Sequence, residues 1–253
     1  MDEADFERYS RHINLAQVGF DGQLALSESH ALVVGAGGLG CPAALYLASA
    51  GVGRLTLIDD DRVELSNLQR QIAHPTERVS AYKALSLAEA CHAINPRLVV
   101  SPVIKRADAA ELAVRVADAT VVLDATDNLE TRHAINRACV EQDTVLVSAS
   151  AIRFEGQIAV LAARRGTGGC YRCVYPETLG DVENCQSAGV VGPLVGILGS
   201  YMALAALKQM VGIGTGDLGS LWLFDAAANH WQRMSIAQRT DCPVCGAYYA
   251  APP

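Results

Sequence analysis

Short, largely apolar runs alternate with longer stretches of helical pattern through the first 150 residues. The runs at 31–34, 55–58, 99–103, 120–123 and 144–147 have strand length and are largely apolar. The stretches at 39–50, 81–94, 109–116 and 129–141 repeat their apolar positions at helical spacing. That alternation predicts an α/β fold with a doubly wound, Rossmann-like parallel sheet. Beyond residue 150 the rhythm changes. A strand is expected at 157–162, a long helix at about 190–210, and two strands at 220–224 and 230–236. Asp225-Ala226-Ala227-Ala228-Asn229 joins the last two, so an antiparallel hairpin should extend the sheet. Residues 1–29 precede the first strand and are expected to form a helical arm. No linker rich in Pro, Gly and Ser and no internal repeat interrupts the chain, which predicts one domain over 1–253.

The first strand runs into Gly35-Ala36-Gly37-Gly38-Leu39-Gly40, and an apolar helix comes next. Gly35, Gly37 and Gly40 complete a G-x-G-x-x-G pattern, in which the backbone turns tightly, approaches a phosphate and presents helix N–H groups to it. Asp59 ends the second strand about twenty residues past the last glycine, where such folds hold a ribose hydroxyl. The pattern predicts a bound nucleotide. Asp59 suits ATP and NAD alike.

Composition narrows the class. Of 253 residues, 51% are hydrophobic, enough for a large core, and 19% are charged. The formal net charge is −7, and no basic run exceeds Arg164-Arg165, which disfavours nucleic acid as a partner. Met1-Asp2-Glu3-Ala4-Asp5 is acidic and no apolar stretch comes after it, so no secretory signal is expected. A cytoplasmic, reducing location then makes the eight cysteines thiols or metal ligands. Residues 188–207 carry no charge over a length that could span a bilayer. Gly189, Gly192, Pro193, Gly196 and Gly199, with no flanking basic clusters, predict instead a buried helix packed through its glycines. Cys41, Cys91 and Cys139 fall on helical patterns and read as small buried apolar residues.

Cys170-Tyr171-Arg172-Cys173 and Cys242-Pro243-Val244-Cys245 are C-x-x-C pairs. Together they can enclose one tetrahedral ion, expected to be structural zinc, with no position open to water. Coincidental turns or a redox pair are the rival readings. Neither pair succeeds the first strand of a thioredoxin pattern, which weighs against the redox reading.

The motifs together bring a family into view. From Arg8 to Cys245 the chain resembles the MoeB/ThiF family of ubiquitin-activating-like enzymes, its MoeB members most closely. The resemblance rests on Arg8-Tyr9-Ser10-Arg11, Gly35 to Gly40, Asp59-Asp60-Asp61, Ser66-Asn67-Leu68-Gln69-Arg70-Gln71, Lys83, Asp124-Ala125-Thr126-Asp127-Asn128 and both cysteine pairs. It implies ATP-dependent adenylylation of the C-terminal glycine of a small ubiquitin-like sulfur carrier with a Gly-Gly tail, of the MoaD or ThiS type. Residues 30–150 would then be the nucleotide-binding half, and 151–253 the carrier-binding and zinc half.

The resemblance also implies roles. Gly38, Asp59, Ser66, Asn67, Leu68, Gln69, Arg70, Lys83, Asp127 and Asn128 would bind ATP, and Asp127 would hold Mg²⁺. Arg70 and Lys83 would contact phosphates, and Arg11 would reach the nucleotide of the partner subunit in a homodimer. Singly, Arg11 could be a surface arginine, Lys83 a solvated helix residue, and Asp127 the N-cap of the 129–141 helix. Ser80-Ala81-Tyr82 stands before Lys83 where relatives often carry a glycine. Cys185 occupies a position at which some relatives link covalently to the carrier, although Asp181 and Glu183 disfavour a thiolate there. No rhodanese-like extension is present after Cys245, so sulfur would come from a separate donor such as a cysteine desulfurase or rhodanese.

Three alternatives compete. A nicotinamide-dependent oxidoreductase would leave Arg70, Lys83, Asp127 and the cysteine pairs without a purpose. An adenylating enzyme acting on a modified transfer-RNA nucleoside fits poorly with the acidic charge. A non-catalytic scaffold would not require Arg11, Arg70, Lys83 and Asp127 together.

Overall fold

A computed structural model describes residues 1–176 and 188–248. Its centre is one eight-stranded sheet in the order β3-β2-β1-β4-β5-β6-β7-β8. Strands β1 (His30–Val34), β2 (Arg54–Ile58), β3 (Val99–Val103), β4 (Val121–Asp124) and β5 (Val145–Ile152) are parallel. Strands β6 (Glu155–Leu161), β7 (Ser220–Asp225) and β8 (His230–Ser235) continue it antiparallel. The predicted Rossmann-like half and its antiparallel extension are both present.

Helices cover both faces. On one side lie α3 (Gly40–Ala50), α4 (Lys83–Ile94) and α8 (Gly192–Met210); on the other lie α5 (Ala109–Ala117), α6 (Leu129–Gln142) and the single turn α7 (Tyr171–Val174). The uncharged stretch is therefore a core helix. A Cβ on Gly199 would overlap the Leu39 carbonyl and the Pro42 ring, so this glycine lets α8 lie directly on α3. No helix among the described residues is long and apolar enough to cross a membrane.

The first residues form α1 (Glu3–Ile13) and α2 (Gly19–Glu28), docked at the end of the sheet where the strands begin. Tyr9 packs on Gly51, the left-handed residue that ends α3, and its hydroxyl accepts from Asn95 Nδ2 at 3.0 Å. Arg97 ties the start of α1 down through Asp2 and Asp5, at 2.7 and 2.9 Å.

Strand β5 runs to Ile152, five residues past its expected end. The turn to β6 is made by Arg153 at φ +54° rather than by a glycine or asparagine, so its sequence carries no turn signal. Asp124, fully buried at the end of β4, accepts from the Thr126 amide (3.1 Å) and hydroxyl (2.6 Å) and from the Ser148 hydroxyl (2.7 Å). This fixes the loop that leaves β4 at the carboxyl end of the sheet.

The β1–α3 turn is the tightest point of this architecture. A Cβ on Gly40 would overlap the Gly35 carbonyl oxygen, with backbone rather than a flexible side chain in the way. Gly40→Ala is expected to destabilise the protein by about 2 kcal/mol or more, read as a lowered urea midpoint. An unchanged midpoint would show that strand and helix do not need this approach.

Candidate active site

A cavity of about 1650 Å³ opens at the carboxyl ends of β1 and β4, where the direction of chain winding reverses. The glycine loop forms one wall. Gly35 sits at φ +99°, and a Cβ there would lie 2.7 Å from the Ala125 carbonyl oxygen. Gly37 by contrast has only one ordinary neighbour, Gln71 Nε2 at 3.5 Å, so its α-carbon faces open space. The loop is held from below. His74 is buried, its Nε2 donates to the Ala36 carbonyl at 2.9 Å, and its Nδ1 accepts from the Ser86 hydroxyl at 3.0 Å. Burial lowers the His74 pKa, so the ring performs this role neutral.

Asp59 closes the loop from the side. Its Oδ2 accepts from the Ala36 amide at 2.7 Å and its Oδ1 from the Asp61 amide at 2.9 Å. Burial raises its pKa to about 6, against the opposing pull of those two amides and of Lys83.

The cationic residues arrive from the connection between β2 and α4. Lys83, the first residue of α4, is buried, and its Nζ pairs with Asp61 Oδ2 at 2.7 Å; a solvated role is therefore ruled out. Ser80 takes φ +76° in the approach to Lys83, the left-handed conformation that a glycine adopts without cost. Asn67 ends the helical turn Leu65–Asn67, Arg70 lies three residues beyond it, and both line the cavity. Ser66, Leu68 and Gln69 lie in the same segment but outside the cavity wall. Ser66 and Gln69 contribute backbone: the Ser66 carbonyl accepts from Arg70 Nη1 at 3.2 Å, and the Gln69 carbonyl abuts Gly192.

Asp127 and Asn128 face this group from the β4–α6 loop. Asn128, not Asp127, caps α6, accepting from the Thr131 amide at 2.9 Å. That frees the exposed Asp127 carboxylate, which makes no hydrogen bond or ion pair among the described residues. Arg132, one turn into α6, is buried and donates to the Thr126 and Ala149 carbonyls, so the loop is fixed at both ends.

Gly38, Asp59, Asn67, Arg70, Lys83, Asp127 and Asn128 thus converge on one cavity. Arg11 does not join them. It is exposed on α1, two residues from Tyr9 and at the opposite end of the sheet. Cys185 lies outside the described residues. His74 and Arg132 escaped the sequence reading, because their roles depend on neighbours distant in the chain.

The four paired cysteines assemble away from the cavity. All four sulfurs lie within 4.8 Å of one another, with Cys170–Cys242 at 3.7 Å and Cys173–Cys245 at 3.4 Å. A tetrahedron with zinc–sulfur bonds of about 2.3 Å has edges near 3.8 Å, so the cluster fits zinc with no place for a fifth ligand. The four sulfurs share hydrogen bonds, which hold the Cys173 pKa far below the usual thiol range while those of Cys170 and Cys245 are raised. Cys41 and Cys91 are fully buried, and burial pushes both thiols up to about 12, as inert core residues require. Cys139, also buried, is pushed up as well.

A glycine loop at the switch point of a doubly wound sheet, faced by cations on one side and a free carboxylate on the other, defines a nucleotide-binding α/β protein. The chain belongs to the ThiF family, whose pattern it matches over residues 9–244. It is 46% identical over 252 residues to the sulfur carrier protein ThiS adenylyltransferase of Escherichia coli (strain K12), with all of both chains covered. It is 43% identical over 246 residues to the molybdopterin-synthase adenylyltransferase of the same organism, covering 97% of this chain and 98% of that one. In fold it is similar to E. coli MccB solved with MccA-N7isoASN. The TM-score is 0.82 at 20% identity, over 95% of this chain and 74% of MccB.

An ionised Asp59 at this position would offer an acceptor to a ribose hydroxyl. Nucleotide affinity is therefore expected to fall as pH drops through about 6, where Asp59 protonates. Asp59→Asn retains the nucleotide's own titration and should bind weakly with a flatter profile, measured by calorimetry. Parallel pH profiles for the two proteins would contradict this role.

Proposed function

We propose that the protein adenylylates the C-terminal glycine of a small ubiquitin-like sulfur carrier of the MoaD or ThiS type, using ATP. The observation that carries this reading is the cavity. At about 1650 Å³ it exceeds the roughly 300–1,000 Å³ of a small-ligand site, leaving room for a nucleotide and an extended chain end together. The names of the full-length relatives support the same chemistry.

In this reading the glycine loop and the start of α3 receive phosphate oxygens, and Asp59 accepts from the ribose. A carrier carboxylate oxygen attacks the α-phosphorus. The bond from that phosphorus to the bridging oxygen breaks, and pyrophosphate leaves with the electron pair. Attack of one anion on another is slow unless charge is neutralised and the line of approach is fixed. Arg70 supplies a planar fork for phosphate and Lys83 a point charge. Lys83 begins paired with Asp61, so it is already oriented and partly desolvated before the triphosphate arrives. Asp127 carries a free carboxylate for Mg²⁺, which when bound would offset the charge of the phosphate oxygens.

Arg11 completes the set only from a second protomer, because its own cavity lies at the far end of the sheet. The protein would therefore work as a homodimer in the cytoplasm. Residues 151–253 would receive the carrier, and a separate sulfur donor would convert the adenylate to a thiocarboxylate.

Trans action has a direct test. Arg11→Ala and Asp127→Ala should each abolish carrier-dependent exchange of pyrophosphate into ATP. Mixing the two under subunit exchange should restore about a quarter of wild-type activity, since half the dimers are mixed and each holds one intact site. No recovery on mixing would show that Arg11 does not act from the partner subunit, and undiminished exchange by Arg11→Ala alone would place it outside the reaction.

A further inference from the structure

The cavity extends past the nucleotide loop onto the α6 and α7 face of the sheet, where Ser150, Gln157 and Tyr175 line it. Ser150 on β5 and Gln157 on β6 stand directly opposite each other in the antiparallel register. The Tyr175 hydroxyl donates to Gln157 Oε1 at 2.5 Å, and Gln157 Nε2 donates to Ser150 Oγ at 2.6 Å. This chain of bonds consumes one amide hydrogen and leaves two donors. The second Nε2 hydrogen and the Ser150 hydroxyl hydrogen have no acceptor among the described residues. Polar hydrogens so placed are costly to leave unmatched when a ligand excludes water from them.

Tyr175 is itself firmly placed. It stands just after α7, its amide donates to the Tyr171 carbonyl at 2.9 Å, and its ring lies 4.7 Å from that of Tyr171. The Tyr171 amide in turn donates to Asn136 Oδ1 on α6 at 2.9 Å, and the flanking Cys170 and Cys173 belong to the four-sulfur cluster.

We infer that Ser150 and Gln157, oriented by the Tyr175 hydroxyl, form a two-donor receptor for main-chain carbonyl oxygens of the peptide tail that carries the acceptor carboxylate. This rests on the adenylylation reading and adds a recognition element to it. An extended tail offers carbonyl oxygens whatever its side chains, and it needs donors rather than apolar pockets to fix its depth. Setting that depth sets the reach of the carboxylate to the α-phosphate. Ser150 and Gln157 would touch the substrate. Tyr175 acts through Gln157 and is a positioning residue.

The test measures pyrophosphate exchange with a Gly-Gly-tailed ubiquitin-like carrier, varying carrier and ATP separately. Gln157→Leu keeps the side-chain volume without the amide, and Tyr175→Phe keeps the ring without the hydroxyl. Each should raise the KM for carrier about tenfold while the KM for ATP stays within about twofold. The double variant should be no worse than Gln157→Leu alone, since Tyr175 works through Gln157. Zinc content and the urea midpoint, measured on each variant, exclude loss of fold as the cause. Unchanged carrier KM values, equal rises for both substrates, or additive effects in the double variant would overturn the receptor. A wild-type protein that binds ATP yet catalyses no exchange with such carriers would instead overturn the adenylylation reading, and the receptor with it.

Discussion

The near-contact of the β1 end with the α3 start governs the arrangement of the site. Gly40 approaches the Gly35 carbonyl so closely that no side chain fits between them. That approach delivers the N-terminus of α3, the positive end of its dipole, to the mouth of the cavity. The turn is then fixed from two directions. Asp59 accepts the Ala36 amide and neutral His74 donates to the Ala36 carbonyl, so both polar groups of one peptide neighbourhood are committed. The loop is preorganised, and a triphosphate entering it would meet dipoles already aimed.

The opposite wall repeats the strategy with different chemistry. Asp124 gathers Thr126 and Ser148, Arg132 gathers the Thr126 and Ala149 carbonyls, and Asn128 caps α6. Thr126 and Asn128, on either side of Asp127, are thereby fixed while its own carboxylate stays available. Helix α6 continues to Asn136, which meets the Cys170 sulfur and the Tyr171 amide. The four-sulfur cluster thus braces the helices behind the cavity as well as the C-terminal segment.

The parallel half of the fold was legible because β1, β4 and most of β2 are buried on both faces and read as largely apolar runs, while the exposed edge strand β3 was still marked by its valines. The second part of β5 was not. Ser148 and Ser150 point to Asp124 and Gln157, while Ala149 and Ala151 pack in the α3 and α8 core, so the run reads as small mixed residues. Spacing alone revealed the cysteine cluster, because two short chelating pairs stay recognisable however far apart they lie. Which of Asp127 and Asn128 caps α6 could not be settled from adjacent cap-forming residues. Backbone geometry gives the cap to Asn128. His74, Arg132 and Tyr175 are single residues with common structural uses, and only tertiary neighbours assign them.

The walls, the loop and the cations serve one claim, that the cavity brings a carrier carboxylate and an ATP α-phosphate into line. Intact-mass measurement of a Gly-Gly-tailed ubiquitin-like carrier, incubated with the protein and Mg-ATP, tests it most directly. The account predicts a carrier heavier by one adenylyl group, formed with release of pyrophosphate. A carrier of unchanged mass beside a folded, zinc-loaded protein, with turnover of NADH in its place, would contradict it.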